Sequence, residues 1–192
     1  MLQIKNLNYN NLIKNLNLSA KCWLFFIYWP SGSWKTTLLK LIFWIIKPNT
    51  QIIKPQSIWV FWQQYNLLPL DWKTNINMPF YFWKNQKDKN WEKFLIDFFN
   101  AKNLINKNID ELSTWEQERI GIIKAFIHKP KLVLLDEAGN SFDKQLKEKL
   151  INFVKDYSKN NIVLQISHDY HISKHFLHGK KIYKHNFSIY AN

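Results

Sequence analysis

Along the chain, short continuous apolar runs alternate with longer stretches in which apolar residues recur every third or fourth position. LFFIY (24–28) is aromatic and β-branched, which predicts a strand buried on both faces. WPSGS follows, then KTTLLKLIFWII, whose apolar residues fall at helical spacing, so strand, loop and helix are expected in succession. IWVFW (58–62), KLVLLDE (131–137) and NIVLQISHD (161–169) read as three further buried strands. Between about 65 and 112 the chain is polar and rich in aromatics, with KNQKDKN as an exposed connection, and reads as mostly helical. Strands alternating with helices imply an α/β core, about 1–64 and 113–192, interrupted by a helical subdomain at about 65–112. No internal repeat stands out.

Composition adds one anomaly. The 192 residues, 46% hydrophobic, suit a single domain. The lone Cys22 forms no internal disulfide, which fits a reducing compartment. MLQIKNLNYNN carries no signal pattern, and LLKLIFWII, broken by Lys40, is too short to span a bilayer. The net charge of +13 comes almost wholly from lysine, with Arg119 the single arginine, amid abundant Asn and Ile. That is the mark of AT-rich codon usage rather than of a basic face, so no nucleic-acid partner is expected. The anomaly is glycine: average usage near 7% implies about 13 in a chain of this length. The chain has 4 glycines and 10 tryptophans, and the deficit of one matches the excess of the other.

Residues 29–36, WPSGSWKT, fit the phosphate-loop pattern G-x-x-x-x-G-K-[ST] except at its two glycines. Lys35 and Thr36 are in place, with Pro30, Ser31, Gly32 and Ser33 before them and Thr37 after. Trp29 and Trp34 occupy the glycine positions. LVLLDE ends a buried strand on Asp136 and Glu137, a carboxylate pair suited to holding Mg²⁺ and to polarising a water. LQISHD ends the next on His168, where a γ-phosphate can be sensed, and Gln63 follows IWVFW. The histidines at 168, 171, 175 and 178 read as a solvated helix face rather than a zinc site.

LSTWEQERIGIIKAFIHKPKLVLLDE resembles the signature segment of ATP-binding cassette (ABC) ATPases, L-S-G-G-[EQ]-Q-x-R followed by a helix and the Walker B strand. Leu112, Ser113, Glu116, Gln117 and Arg119 match, and Thr114 and Trp115 stand at the two glycines. The phosphate loop, Gln63, this segment, Asp136–Glu137, NSFD (140–143) and His168 occur in the family's order. The resemblance implies a P-loop NTPase core of ABC type with an antiparallel β portion and a small helical signature subdomain. It further implies a free-standing subunit of a transporter that binds ATP and Mg²⁺. Lys35 would neutralise the β- and γ-phosphates. Thr36 and Gln63 would ligate Mg²⁺, with Asp136 behind. Glu137 would be the general base, and His168 would contact the γ-phosphate. Ser113, Thr114, Trp115 and Gln117 would complete the site of a second subunit, in a homodimer or heterodimer, and Asp143 would couple the two sites. Tyr9 is a candidate for stacking on adenine, or a residue packing the sheet edge. A separate permease would hold the subunit at the inner face of the membrane. QQYNLLP is most similar to the lipoprotein-release and macrolide-export branch.

Trp29, Trp34 and Trp115 stand where the family has glycine, Trp44 matches the glycine of its LLGLLKP turn, and Trp59 matches the glycine opening the strand before Gln63. Trp23 and Trp72 lie in turn-like contexts, whereas Trp62 is at a usual aromatic position. The expectation is that UGA is read as glycine in the living protein, and that translation with another code writes tryptophan. Two alternatives stand beside the transporter reading: a non-transport ABC ATPase acting on nucleic acid or ribosomes, and a catalytically dead binding module whose tryptophans are real.

Overall fold

The structure, a computed structural model, describes residues 1–28, 34–62, 67–83, 86–105, 107–167, 180–181 and 188–190. Strand β1 (Leu2–Tyr9) and β2 (Ile13–Ala20) form an antiparallel hairpin, with Leu2 opposite Ala20 and Tyr9 opposite Ile13. Asn10 and Asn11 turn it at positive φ, a conformation asparagine tolerates. The third strand, β3 (Trp23–Tyr28), is the predicted apolar run, and α1 (Trp34–Phe43) is the predicted helix. Then come β4 (Ile52–Ile53), β5 (Ile58–Phe61), α2 (Trp72–Trp83), α3 (Lys89–Phe98) and, after two short 3₁₀ turns, α4 (Thr114–Phe126). The chain continues through β6 (Leu132–Asp136), α5 (Lys144–Ser158), β7 (Ile162–Ser167), β8 (Lys180–Lys181) and β9 (Ser188–Tyr190).

Two sheets result. One runs β4-β1-β2-β9; the other is parallel, in the order β5-β6-β7-β3-β8. Alternation along the parallel strands sends residues to opposite faces. Phe25, Ile27, Leu132, Leu134, Ile162, Leu164 and Ile166 join α1 and the antiparallel strands in one core. Leu24, Phe26, Val133, Leu135 and Val163 join α4, α5 and the helical segment in the other. Parallel sheets need both faces covered, which is why these strands read as unbroken apolar runs. No helix among the described residues is long and apolar enough to cross a membrane.

The helical reading of 65–112 is met by α2 and α3. Asp88 caps α3, accepting from the amides of Asn90 and Trp91, so the exposed connection ends as a helix start. Trp91 lies against Phe153 and Tyr157 and donates from Nε1 to the Phe126 carbonyl (2.9 Å), which ties α3 to the end of α4. Trp72 departs from its turn-like reading. It opens α2 behind Asp71, whose carboxylate accepts from the Thr74 amide, and it is buried to 3% exposure in the helical core.

Helix α1 stops sooner than its apolar pattern does. At Trp44 the backbone turns left-handed, with φ +68°. The Trp44 amide bonds to the Leu41 carbonyl (3.2 Å) and the Ile45 amide to the Lys40 carbonyl (2.9 Å), the pair of bonds that defines a Schellman stop. Its left-handed position is the one glycine favours, and a side chain there costs about 1–2 kcal/mol. Trp44 is the one tryptophan among the described residues at positive φ, and its indole is 62% exposed, with Lys54 Nζ 5.0 Å from the ring centre. So weak an exposed contact offsets only part of the strain. Trp44→Gly is therefore expected to raise stability by about 1 kcal/mol, and Trp44→Ala to give no such gain, read from urea midpoints at unchanged m-value.

Candidate nucleotide site

A sheet buried on both faces leaves polar side chains little room except at its strand ends, and the carboxyl ends of β3 and β6 carry the candidate site. Trp34 and Lys35 open α1, the next described element after β3, and both are buried. Lys35 Nζ lies 3.9 Å from Glu137 Oε1. One residue on, Thr36 Oγ1 donates to Asp136 Oδ2 at 3.0 Å, a bond spanning 100 positions of sequence. Thr37, half-buried, shares that first helical turn. Asp136, last residue of β6, is 3% exposed. Burial pushes its carboxyl above the usual range, and the Thr36 hydrogen bond works in the opposite direction.

Beyond β6 the chain turns sharply. Glu137 has φ +57° while its amide bonds to the Ile166 carbonyl on β7 (2.9 Å). Asn140 Nδ2 donates to Glu137 Oε2 at 2.8 Å, which orients the carboxylate. Gly139 has φ +89°, and a Cβ there would lie 2.9 Å from Leu150 Cδ2. Asp143 caps α5, accepting from the Leu146 amide (2.8 Å).

A half-buried hydroxyl and a buried carboxylate beside a buried lysine are the donor set that Mg²⁺ and phosphate require, so Thr36, Asp136 and Lys35 fit a magnesium nucleotide. Tyr9 ends β1 on the wall of a separate cleft of about 700 Å³, shared with Asn10, Lys14, Lys47 and Asn49. Trp29, Pro30, Ser31, Gly32 and Ser33, together with Gln63 and His168, lie outside the described residues, as do His171, His175 and His178.

The signature segment forms the start of α4. Ser113 precedes the helix, and both its amide (2.9 Å) and its hydroxyl (2.8 Å) donate to Glu116 Oε2. Those bonds, the backbone one foremost, hold the Glu116 carboxyl below the usual range. Thr114 is exposed, and Trp115, 41% exposed, lies under the Arg119 guanidinium at 4.2 Å. Gln117 faces inward: Nε2 donates to the carbonyls of Leu112 (3.0 Å) and Ile109 (3.2 Å), bracing the turn that precedes the helix. Three residues that sequence reasoning passed over, Glu118, Asn140 and Gln165, bond to the loop after β6 or lie within it. Asn140 sat within the quoted NSFD, but nothing in the sequence marked it as a partner of Glu137.

A lysine and a threonine at a helix start, facing a carboxylate pair at a strand end, are the arrangement expected of a phosphate-loop nucleotide-binding protein. The profile of the ABC transporter family matches residues 13–140, and the chain belongs to that family. With glycine at 29, 34 and 115 it is an ATP-binding and ATP-hydrolysing subunit of transporter type. It is 29% identical to the molybdate/tungstate import ATP-binding protein of Methanocaldococcus jannaschii over 188 residues, covering 88% of this chain and 63% of that protein. It is also 29% identical to the probable iron export ATP-binding protein of Escherichia coli over 191 residues, covering 88% and 85%. Its fold matches a dimeric ATP-binding cassette in a post-hydrolysis state with ADP and Pi, at TM-score 0.78, 21% identity and 91% coverage of both chains.

The crowded, left-handed backbone at Gly139 makes the loop sensitive to a single methyl group. Gly139→Ala is expected to destabilise the chain by about 1–3 kcal/mol, measured as a lowered urea midpoint.

Proposed function

We propose that two such subunits, identical or different, close head to tail on ATP and drive a separate membrane permease, which holds them at the inner face of the membrane. The observation that carries this reading is the Thr36–Asp136 hydrogen bond, which joins the phosphate-loop end of α1 to the carboxylate end of β6. Lys35, now facing Glu137, would turn to the β- and γ-phosphates. Thr36 and Gln63 would ligate Mg²⁺, with Asp136 behind them, and the ion so held would supply positive charge against the phosphates. Glu137, oriented by Asn140, would take the proton of the attacking water, and His168 would contact the γ-phosphate. Ser113, released from Glu116, and position 115 would close on the partner's nucleotide. Asp143 would couple the two sites, and Tyr9 would stack on adenine. The segment at about 65–112 serves in this reading as the helical subdomain.

The same reading requires glycine at 29, 34 and 115, and the code behind the gene supplies it if UGA is read as glycine. Composition supports this, and so does the Schellman stop at Trp44, whose backbone suits glycine on geometric grounds alone. An exposed indole at 115 obstructs the face that a second subunit must approach. Trp91 is different, since its indole N–H is bonded and its ring is packed among aromatic neighbours. Peptide masses from protein made in the native host are expected to show glycine at 29, 34, 44 and 115 and tryptophan at 91. Tryptophan at 29, 34 and 115 would sink the recoding and leave a binding module.

For the hydrolysis itself, chain made with glycine at those positions is expected to turn over ATP. Glu137→Gln should cut the rate about 10²–10⁴-fold while nucleotide still binds, whereas Lys35→Ala should weaken binding itself. Equal effects of the two changes on ATP affinity, measured by titration calorimetry, would argue against the assigned roles.

A further inference from the structure

Glu118 lies on α4 and is 1% exposed; its carboxylate reaches across to the loop after β6. One oxygen accepts from the Gly139 amide at 2.6 Å. The other accepts from the Ser141 amide at 3.0 Å and also from the Ser141 hydroxyl. A buried carboxylate with three donors is satisfied, and charge-assisted bonds of this kind are roughly twice as strong as neutral ones. On the opposite side Gln165 Nε2 approaches the Ala138 carbonyl at 3.5 Å, so the loop is gripped from α4 and from β7. That loop begins with Glu137 and ends with Asp143, while Ser113 caps the start of α4.

We propose that Glu118 is a positioning residue: it couples the signature end of α4 to Glu137, so that a shift of the helix is passed to the general base through the amides of Gly139 and Ser141. A carboxylate suits this task because both of its oxygens accept. A glutamine there turns an NH₂ group toward an amide donor on one side. The proposal rests on the hydrolytic reading above, through the role given to Glu137.

The test uses the full chain carrying Trp29→Gly, Trp34→Gly, Trp44→Gly, Trp59→Gly and Trp115→Gly. Glu118→Gln is expected to lower kcat at least tenfold while KM for ATP and the affinity for ADP stay within about twofold. The Ser141→Ala change, at an exposed residue, should give a smaller loss of kcat in the same pattern. The two effects combined should be less than multiplicative, since they act through one contact. Hydrogen exchange provides a readout that does not depend on turnover. The Gly139 and Ser141 amides should exchange slowly in the parent chain and markedly faster in Glu118→Gln. Should Glu118→Gln fail to fold, Ser141→Ala and the parent's exchange rates decide the matter. Unchanged kcat, or a loss of ADP affinity as large as the loss of kcat, overturns the proposal. Fast exchange at both amides in the parent overturns it as well. A parent that folds with both amides protected but hydrolyses no ATP counts against the hydrolytic reading instead, and the contact still stands.

Discussion

The structure depends on one constraint: the parallel sheet is covered on both faces. The central strands β6 and β7 have no solvated side on which to place polar groups, so the chemistry is pushed to their carboxyl ends. Asp136 sits at such an end, buried and yet bonded to Thr36, and the same bond fixes where α1 begins relative to β6. Gln165, buried within β7, also points toward the loop beyond β6. Burial, which raises the proton affinity of Asp136, thus also gathers the groups that a magnesium nucleotide needs.

That loop stores conformational strain. Glu137, with a side chain at φ +57°, carries a cost of about 1–2 kcal/mol, and it holds this conformation because neighbours over-determine it. Its amide continues the sheet onto Ile166, its carboxylate is held by Asn140, and the following amides are bound by Glu118. The backbone and carboxylate of Glu137 are therefore set by contacts from β7, from its own loop and from α4 together.

Much of this was legible in the sequence. LFFIY, LVLLDE and IVLQIS announced buried strands because continuous apolar runs suit both faces of a parallel sheet. The motif order brought Lys35, Thr36, Asp136 and Glu137 to one place, and the structure brings their side chains together. The end of α1 was hidden, since LIFWII remains apolar past Phe43 and the residue written at the stop is not the one that marks it. Gln117 matched its motif, but a motif says which residues recur and not which way they face. Glu118 fell on the position the pattern leaves open, and its partners lie more than twenty residues downstream. Trp72 resembled a turn because LDWKT is polar around it, whereas Asp71 is the start of a helix and the indole goes inward.

The order of strands also governs how the molecule emerges from the ribosome. Trp23 pairs with Ile162 and Tyr28 with Ser167, so the strand leading into the phosphate loop stays unpartnered until β7 has been made. The hairpin of β1 and β2 can close at once, but its β2 edge waits longer still, for Ser188–Tyr190. Such non-local pairing is slow, and it leaves an apolar strand edge exposed in the nascent chain. The strand leading to the proposed nucleotide site is thus made well before the strand that secures it, which makes it a natural client for a chaperone during synthesis.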